Sequence, residues 1–169
     1  MKRLTLVRHA KSDWKDSTLK DFDRPLSRRG LKEAPGMAER LAEQGVHADL
    51  LITSPAVRAF ETARFFAKAL DYPLRQIKAE DRLYLAPPAE ILKVIRSVGS
   101  RVQHLMIFGH NPGLSECAQQ LTHDKKLGEL PTCAVYSMEL EISKWLEAHF
   151  GAGRNATLDH PRNFLDLLI

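Results

Sequence analysis

Cysteine is scarce in this 169-residue sequence, which holds only Cys117 and Cys133. Their separation leaves no C-x-x-C pair, and two distant thiols fit a reduced, cytoplasmic protein. Long apolar runs are absent too. The opening "MKR" is followed by just "LTLV", too short for a secretory leader. No stretch approaches the ~20 apolar residues of a membrane span, so no membrane association is expected. Repeats and low-complexity segments are also missing.

Charge of one sign is in short supply as well. Lys and Arg number 25 against 21 Asp and Glu, a net charge of +4. The basic residues are scattered, apart from short groups such as "SRRG" (27–30) and "DKKL" (124–127). With no basic and aromatic platform, nucleic acid is not an expected partner; the slight excess favours a small anion. What is present is enough to fold: 44% apolar and 27% charged residues fit a real core and exclude disorder. The length predicts a single domain over residues 1–169, and a monomer is expected.

Short strand-like runs alternate with longer helical ones. "RLTLV" (Arg3–Val7), "ADLLITS" (Ala48–Ser54) and "HLMIFGH" (His104–His110) read as buried strands, mostly or wholly apolar as central parallel strands are. "CAVYSMEL" (Cys133–Leu140) is a fourth and "NATLDHP" (Asn155–Pro161) a short fifth. Between them, Leu31, Ala34, Ala38, Leu41 and Ala42 share one helical face that ends at Gly45. Pro35-Gly36 predicts an irregular or kinked first turn there. Ser54-Pro55 reads as an N-cap and first helical residue of a helix reaching Leu70. Further helices are expected at Ala89–Val98 and Leu114–Leu121. This alternation predicts an α/β fold: a three-layer α/β/α sandwich with a mainly parallel central sheet.

In such sheets ligands bind beyond the carboxyl ends of the strands. Arg8 and His9 follow the first strand, Ser54 and Arg58 the second, and His110 the third. Arg58 stands in an opening helical turn, where the macrodipole disfavours a cation by roughly 0.3–1 kcal/mol. A bound anion would reverse that preference; a surface arginine lying over its helix is the alternative. His9, flanked by Arg8 and near Lys11, is expected to stay largely neutral. A neutral imidazole has a lone pair that can attack phosphorus, although a histidine after a strand also serves as an ordinary loop residue. His110, between glycine and Asn-Pro-Gly, lies on a sharp turn that either aims it into a cleft or merely closes the turn.

The blocks "LVRHAKSDW", "RPLSRRG", "TSPAVRAFETA" and "GHNPG", in this order, resemble the histidine phosphatase superfamily, with its phosphoglycerate-mutase-like fold. Short length, "RHAKS" and "LYLAPPAEIL" bring the sequence nearest to SixA-type phosphohistidine phosphatases. The resemblance weakens after Leu140. It implies that His9 is the phosphorylated nucleophile and that Arg8, Arg58 and His110 form the phosphate pocket. It implies metal-independent catalysis without a cofactor, since cationic positioning stabilises a transferring phosphoryl group. Ser12 and Lys15 are secondary candidates for phosphate contact.

Two departures from the family pattern carry information. Members with alcohol leaving groups usually have Asn after the tryptophan, where Lys15 follows Trp14. They also have a glutamate acid after the second helix. Glu80 and Asp81 lie in that region without a recognisable motif, and Asp23 in "DFDRPLS" is a further candidate proton donor. An alkoxide leaving group needs a proton, whereas a phosphohistidine ring protonated on its far nitrogen leaves as neutral imidazole. The expected substrate is therefore a phosphohistidine-bearing protein. A small phosphorylated molecule, or a phosphate-binding module without turnover, are the alternatives. Only about thirty residues separate Leu70 from His104, which leaves no room for a cleft-capping insertion.

Overall fold

The computed structural model describes residues 1–162, in which the first apolar run becomes strand β1, Lys2–Arg8. It is followed by α1 (Arg28–Glu43), β2 (Leu50–Thr53), α2 (Val57–Ala69), β3 (Lys78–Ala79), α3 (Pro88–Arg96), β4 (His104–Gly109), α4 (Gly113–Thr122), β5 (Val135–Leu140) and β6 (Gly153–Asp159). The described strands form one sheet in the order β3-β2-β4-β1-β5-β6. The β1–β4, β2–β4 and β2–β3 pairings are parallel, while β5 and β6 add an antiparallel margin. The mainly parallel sheet of an α/β/α sandwich is thus present.

Alternation along each central strand builds the layers. Leu4 and Leu6, Ile52, Leu105 and Ile107 point toward α3 and α4, where Ile91, Val94, Ile95, Leu114, Cys117 and Leu121 are buried. Val7, Leu51, Met106 and Phe108 point the other way, onto Ala34, Met37, Ala38, Ala63, Phe66 and Ala67 of α1 and α2. The period of two in the strands meets the helical stripes on both faces, which is why these runs carry no polar face. Phe66 and Phe108 meet edge to face at 5.3 Å, an arrangement worth about 0.5–1.5 kcal/mol beyond area burial. Cys117 and Cys133 are buried free thiols.

Several local expectations need correction. Helix α1 runs unbroken through Pro35. The missing N–H removes one hydrogen bond, but Ser27 caps the helix by accepting from Gly30 N, and Ala34, Met37, Ala38 and Leu41 anchor the rest in the core. The expected apolar face holds at Ala34, Ala38, Leu41 and Ala42 but not at Leu31. Gly30 presses against the Lys11 backbone so closely that a Cβ would overlap its carbonyl. That contact turns Leu31 outward, 47% exposed. Helix α2 begins at Val57, later than Ser54-Pro55 suggests, with Ala56 as its cap. Strand β3 is two residues long and carries no sequence signal. Residues 163–169 of the expected domain lie outside the described residues.

Candidate active site

The carboxyl ends of β1, β2 and β4 finish level. Arg8 is paired with Gly109 and Thr53 with Phe108. One step further, His9 N donates to Gly109 O (3.1 Å) and Ser54 N to Phe108 O (3.0 Å). This extension of the ladder fixes the direction in which the next side chains leave the sheet. It brings the rings of His9 and His110 to 5.2 Å between centroids, tilted by 53°. Both side chains are buried.

His9 Nδ1 lies 2.7 Å from the Ala10 carbonyl. A carbonyl can only accept, so Nδ1 carries the proton and Nε2 keeps a free lone pair. Burial lowers the His9 pKa from 6.5 to about 4; the Ala10 carbonyl opposes this, and Arg58, Arg8 and Arg24 add to it. Burial likewise lowers His110 to about 3, helped by His9 and Arg58. Both rings are neutral near pH 7.

His110 Nε2 is 2.7 Å from Ser54 Oγ, which also accepts from Ala56 N (3.2 Å). The turn after His110 is held by Asn111. Its amide oxygen accepts from Ser115 Oγ (2.6 Å), and its nitrogen donates to Leu130 O (2.9 Å). Gly113 completes the turn beside Ala86, whose carbonyl a Cβ there would overlap. Glycine is therefore required for α4 to start where it aims His110.

Two arginines flank the pair. Arg8 donates through Nη1 to Leu130 O (2.8 Å), and its Nε is buried without a hydrogen-bond partner. Arg58, in the first turn of α2, is 2% exposed. Thr62, one turn on, donates to Arg58 O (2.7 Å) and accepts from Ala10 N (3.0 Å), tying α2 to the loop that carries His9.

A second ring of residues surrounds the histidine pair; sequence reasoning reaches Trp14 and Tyr84 as aromatics that either line the cleft mouth or simply pack, and misses Asp21 and Arg24. Asp21 accepts from Arg58 Nη2 through Oδ2 (3.0 Å), and its backbone oxygen accepts from Arg58 Nη1 (2.7 Å). Tyr84 donates to the same Oδ2 (2.5 Å), and its ring meets His110 edge-on at 5.6 Å. Arg24 donates to Asp21 Oδ1 (3.0 Å) and stacks 3.3 Å above the ring of Trp14. Burial alone would raise Asp21, but hydrogen bonds from Tyr84, Arg58 and Arg24 outweigh it and hold the carboxyl well below the usual range. Asp21 is therefore an ionised acceptor. Its only sequence signal was the doublet "DFD", in which nothing favours Asp21 over Asp23.

The remaining candidates fall outside this cluster or are already engaged. Asp23 is exposed, and so is Asp81. Glu80 is paired with Arg82 (3.0 Å), whose hydrogen bond lowers its pKa. Ser12 is buried with its hydroxyl accepting from Arg24 Nη1 (2.7 Å). Lys15 is exposed. Among the described residues, no three His, Cys, Asp or Glu side chains gather as a metal-ligating group, and no helix is long and apolar enough to cross a membrane.

The neutral histidines carry a stability signature. Their pKa values are lower folded than unfolded, so between about pH 6.5 and 4 the unfolded chain binds more protons. Stability is fully present above 6.5 and is lost as pH falls, by up to about 1.4 kcal/mol per pH unit for each histidine. Urea midpoints between pH 7.5 and 4 should decline less steeply for His9→Gln than for the wild type. Parallel curves would contradict a neutral buried His9.

Residues 4–83 match the model of the histidine phosphatase superfamily (branch 1). An uncharacterised chloroplastic protein of Arabidopsis thaliana is 31% identical over 160 residues, covering 87% of this chain and 70% of that one. Among solved structures, a SixA protein of Agrobacterium tumefaciens assigned as a phosphohistidine phosphatase is 28% identical. It superposes with a TM-score of 0.76 over 82% of this chain and 92% of its own. The protein histidine phosphatase SixA complexed with tungstate has the same fold at a TM-score of 0.82, with 21% identity over 96% of this chain and 99% of its own.

Proposed function

The chain belongs to the histidine phosphatase superfamily, and from that premise we propose that it removes phosphoryl groups from phosphohistidine side chains of other proteins through a phosphorylated His9. The observation that carries this reading is the state of His9. Its Nδ1 proton is committed to Ala10 O and its Nε2 lone pair is free, beside His110 and two arginines.

In the first step Nε2 of His9 forms a bond to phosphorus while the substrate's N–P bond breaks. The bonding pair returns to the substrate imidazole, which leaves neutral because its far nitrogen already holds a proton. Arg8 and Arg58 stabilise the charge on the equatorial oxygens, and the phosphoryl dianion raises the pKa of His110 so that it takes up a proton from solvent, which it returns when phosphate departs. In the second step water attacks phosphorus, the P–N bond breaks back to Nε2, and the water's proton passes to solvent as phosphate leaves. These residues supply the charge stabilisation by themselves, so we assign no metal or cofactor to the reaction.

The carboxylates support an N–P substrate over an ester. Asp21 is ionised and its hydrogen bonds are taken, Glu80 is paired with Arg82, and Asp23 and Asp81 are exposed. None is held ready to protonate an alkoxide. The test compares kcat/KM for a phosphohistidine protein with values for sugar and nucleotide monophosphates. We expect the protein to be preferred by about 100-fold or more, the size of a typical acid-catalysis contribution. The opposite order would make the enzyme a small-molecule phosphomonoesterase. Phosphate binding without turnover of any substrate would make it a non-catalytic module.

A further inference from the structure

A pocket of about 350 Å3 opens beside Arg8, lined among others by Lys11, Arg29, Glu129, His160 and Arg162. Its walls come from four distant segments: the loop after β1, the first turn of α1, the stretch 129–132 before β5, and the residues following β6. Two contacts fix this arrangement. Arg40 of α1 donates to Asp159 Oδ1 (2.7 Å) and to His160 O (3.4 Å), which holds the end of β6 against α1. Arg8 lines the groove and donates to Leu130 O (2.8 Å), and its charge also acts on both His9 and His110.

The charges in the groove are unbalanced. Arg8, Lys11, Arg29 and Arg162 are cations, His160 is titratable, and among the described residues Glu129 is the one lining carboxylate, acting on Arg8. Glu129 is exposed and takes a long hydrogen bond from Asn111 (3.4 Å), while Arg29 is bound by Glu33 (3.0 Å) outside the lining. Lys11 and Arg162 are exposed. A concave surface lined mostly by one sign concentrates its field and attracts an anion.

We infer that this groove is a second anion subsite that takes a carboxylate carried by the substrate next to its phosphoryl group. The inference rests on the phosphatase reading of His9, because Arg8 is the group shared by both sites. Lys11, Arg29, Glu129 and Arg162 line the groove as exposed side chains, which suits a partner approaching from solution better than enclosure of a small free molecule. An acidic side chain flanking a phosphorylated histidine on a folded partner would already be held by its phosphoryl group. The groove would then add orientation and selectivity.

The test uses two phosphohistidine peptides of equal length, one flanked by glutamates and one by glutamines, together with p-nitrophenyl phosphate and 3-phosphoglycerate. The wild type should prefer the glutamate peptide by about tenfold in kcat/KM at low salt, with the preference fading as ionic strength shortens the Debye length. In the double variant Lys11→Glu, Arg162→Glu the preference should vanish. Turnover of p-nitrophenyl phosphate should stay within about twofold of wild type, the result for an intact phosphoryl pocket. Equal peptide preference in wild type and variant would overturn the subsite. A loss confined to 3-phosphoglycerate would overturn the protein as the source of the carboxylate. Wild type that turns over none of these substrates would instead sink the phosphatase reading, and the subsite with it.

Discussion

Replacing His9 with alanine is expected to lower turnover of a phosphohistidine protein by about 10^4-fold or more, the scale seen when a covalent nucleophile is removed. It should also abolish an acid-labile phosphoryl label on the enzyme. The expectation is large because both steps of the proposed reaction pass through Nε2, which would accept the phosphoryl group and then release it. The backbone at this position is held independently of the side chain. His9 N donates to Gly109 O and Cys133 N to His9 O, and both bonds persist in alanine. The Ala10 carbonyl loses its imidazole donor, a penalty of about 1–3 kcal/mol if water cannot replace it. Relief from burying an ionisable ring offsets part of this, so the variant should remain folded. The measurement is a quench in mild alkali after mixing with labelled substrate, wild type and variant side by side. Label retained by His9→Ala, or turnover equal to wild type, would place the chemistry elsewhere.

The convergence of the candidate residues was legible because a parallel sheet converts sequence order into one shared edge. Arg8-His9, Ser54 and His110 each stand just past an apolar run, and level strand ends make them neighbours whatever the details of the helices. Arg58 was legible for a different reason, as a cation placed against the local helix dipole. What sequence could not supply was anything decided by side-chain choice between equivalent positions. Asp21 and Asp23 are two residues apart in one short turn, and only the direction of that turn selects Asp21 for Arg58, Arg24 and Tyr84. Leu31 failed similarly. It lies one position from Gly30 on the helix, and the close approach of Gly30 to Lys11, a contact between distant segments, gives the inward place in that turn to Gly30 and leaves Leu31 exposed. Pro35 shows that tertiary anchoring overrides a local breaker. The groove beside Arg8 was invisible because its walls are assembled from four segments with no common motif.

Arg58→Ala is expected to reduce kcat/KM by about 10^3-fold, as loss of an arginine that stabilises phosphoryl charge does elsewhere. The buried guanidinium also pairs with Asp21 through two hydrogen bonds, so a purely structural role has to be separated from a catalytic one. Removing one partner of a buried pair costs roughly 3–5 kcal/mol when the other is left without compensation. Asp21 is 40% exposed at its side chain and keeps Arg24 and Tyr84, so the penalty here should fall below that range. Arg58→Lys retains the charge and loses the planar fork that grips two oxygens at once. It should recover stability almost fully and activity only in part. Asp21→Asn supplies the converse: Arg58 stays and its internal anion is neutralised, so inorganic phosphate should inhibit this variant more strongly than wild type. In the proposed reaction two anions compete for Arg58, the carboxylate of Asp21 and the phosphoryl group of the substrate. If Arg58→Ala unfolds more easily yet keeps its kcat/KM within about threefold of wild type, well short of the loss expected for a transition-state contact, the arginine serves the Asp21 pair alone and the phosphate pocket must be rebuilt without it.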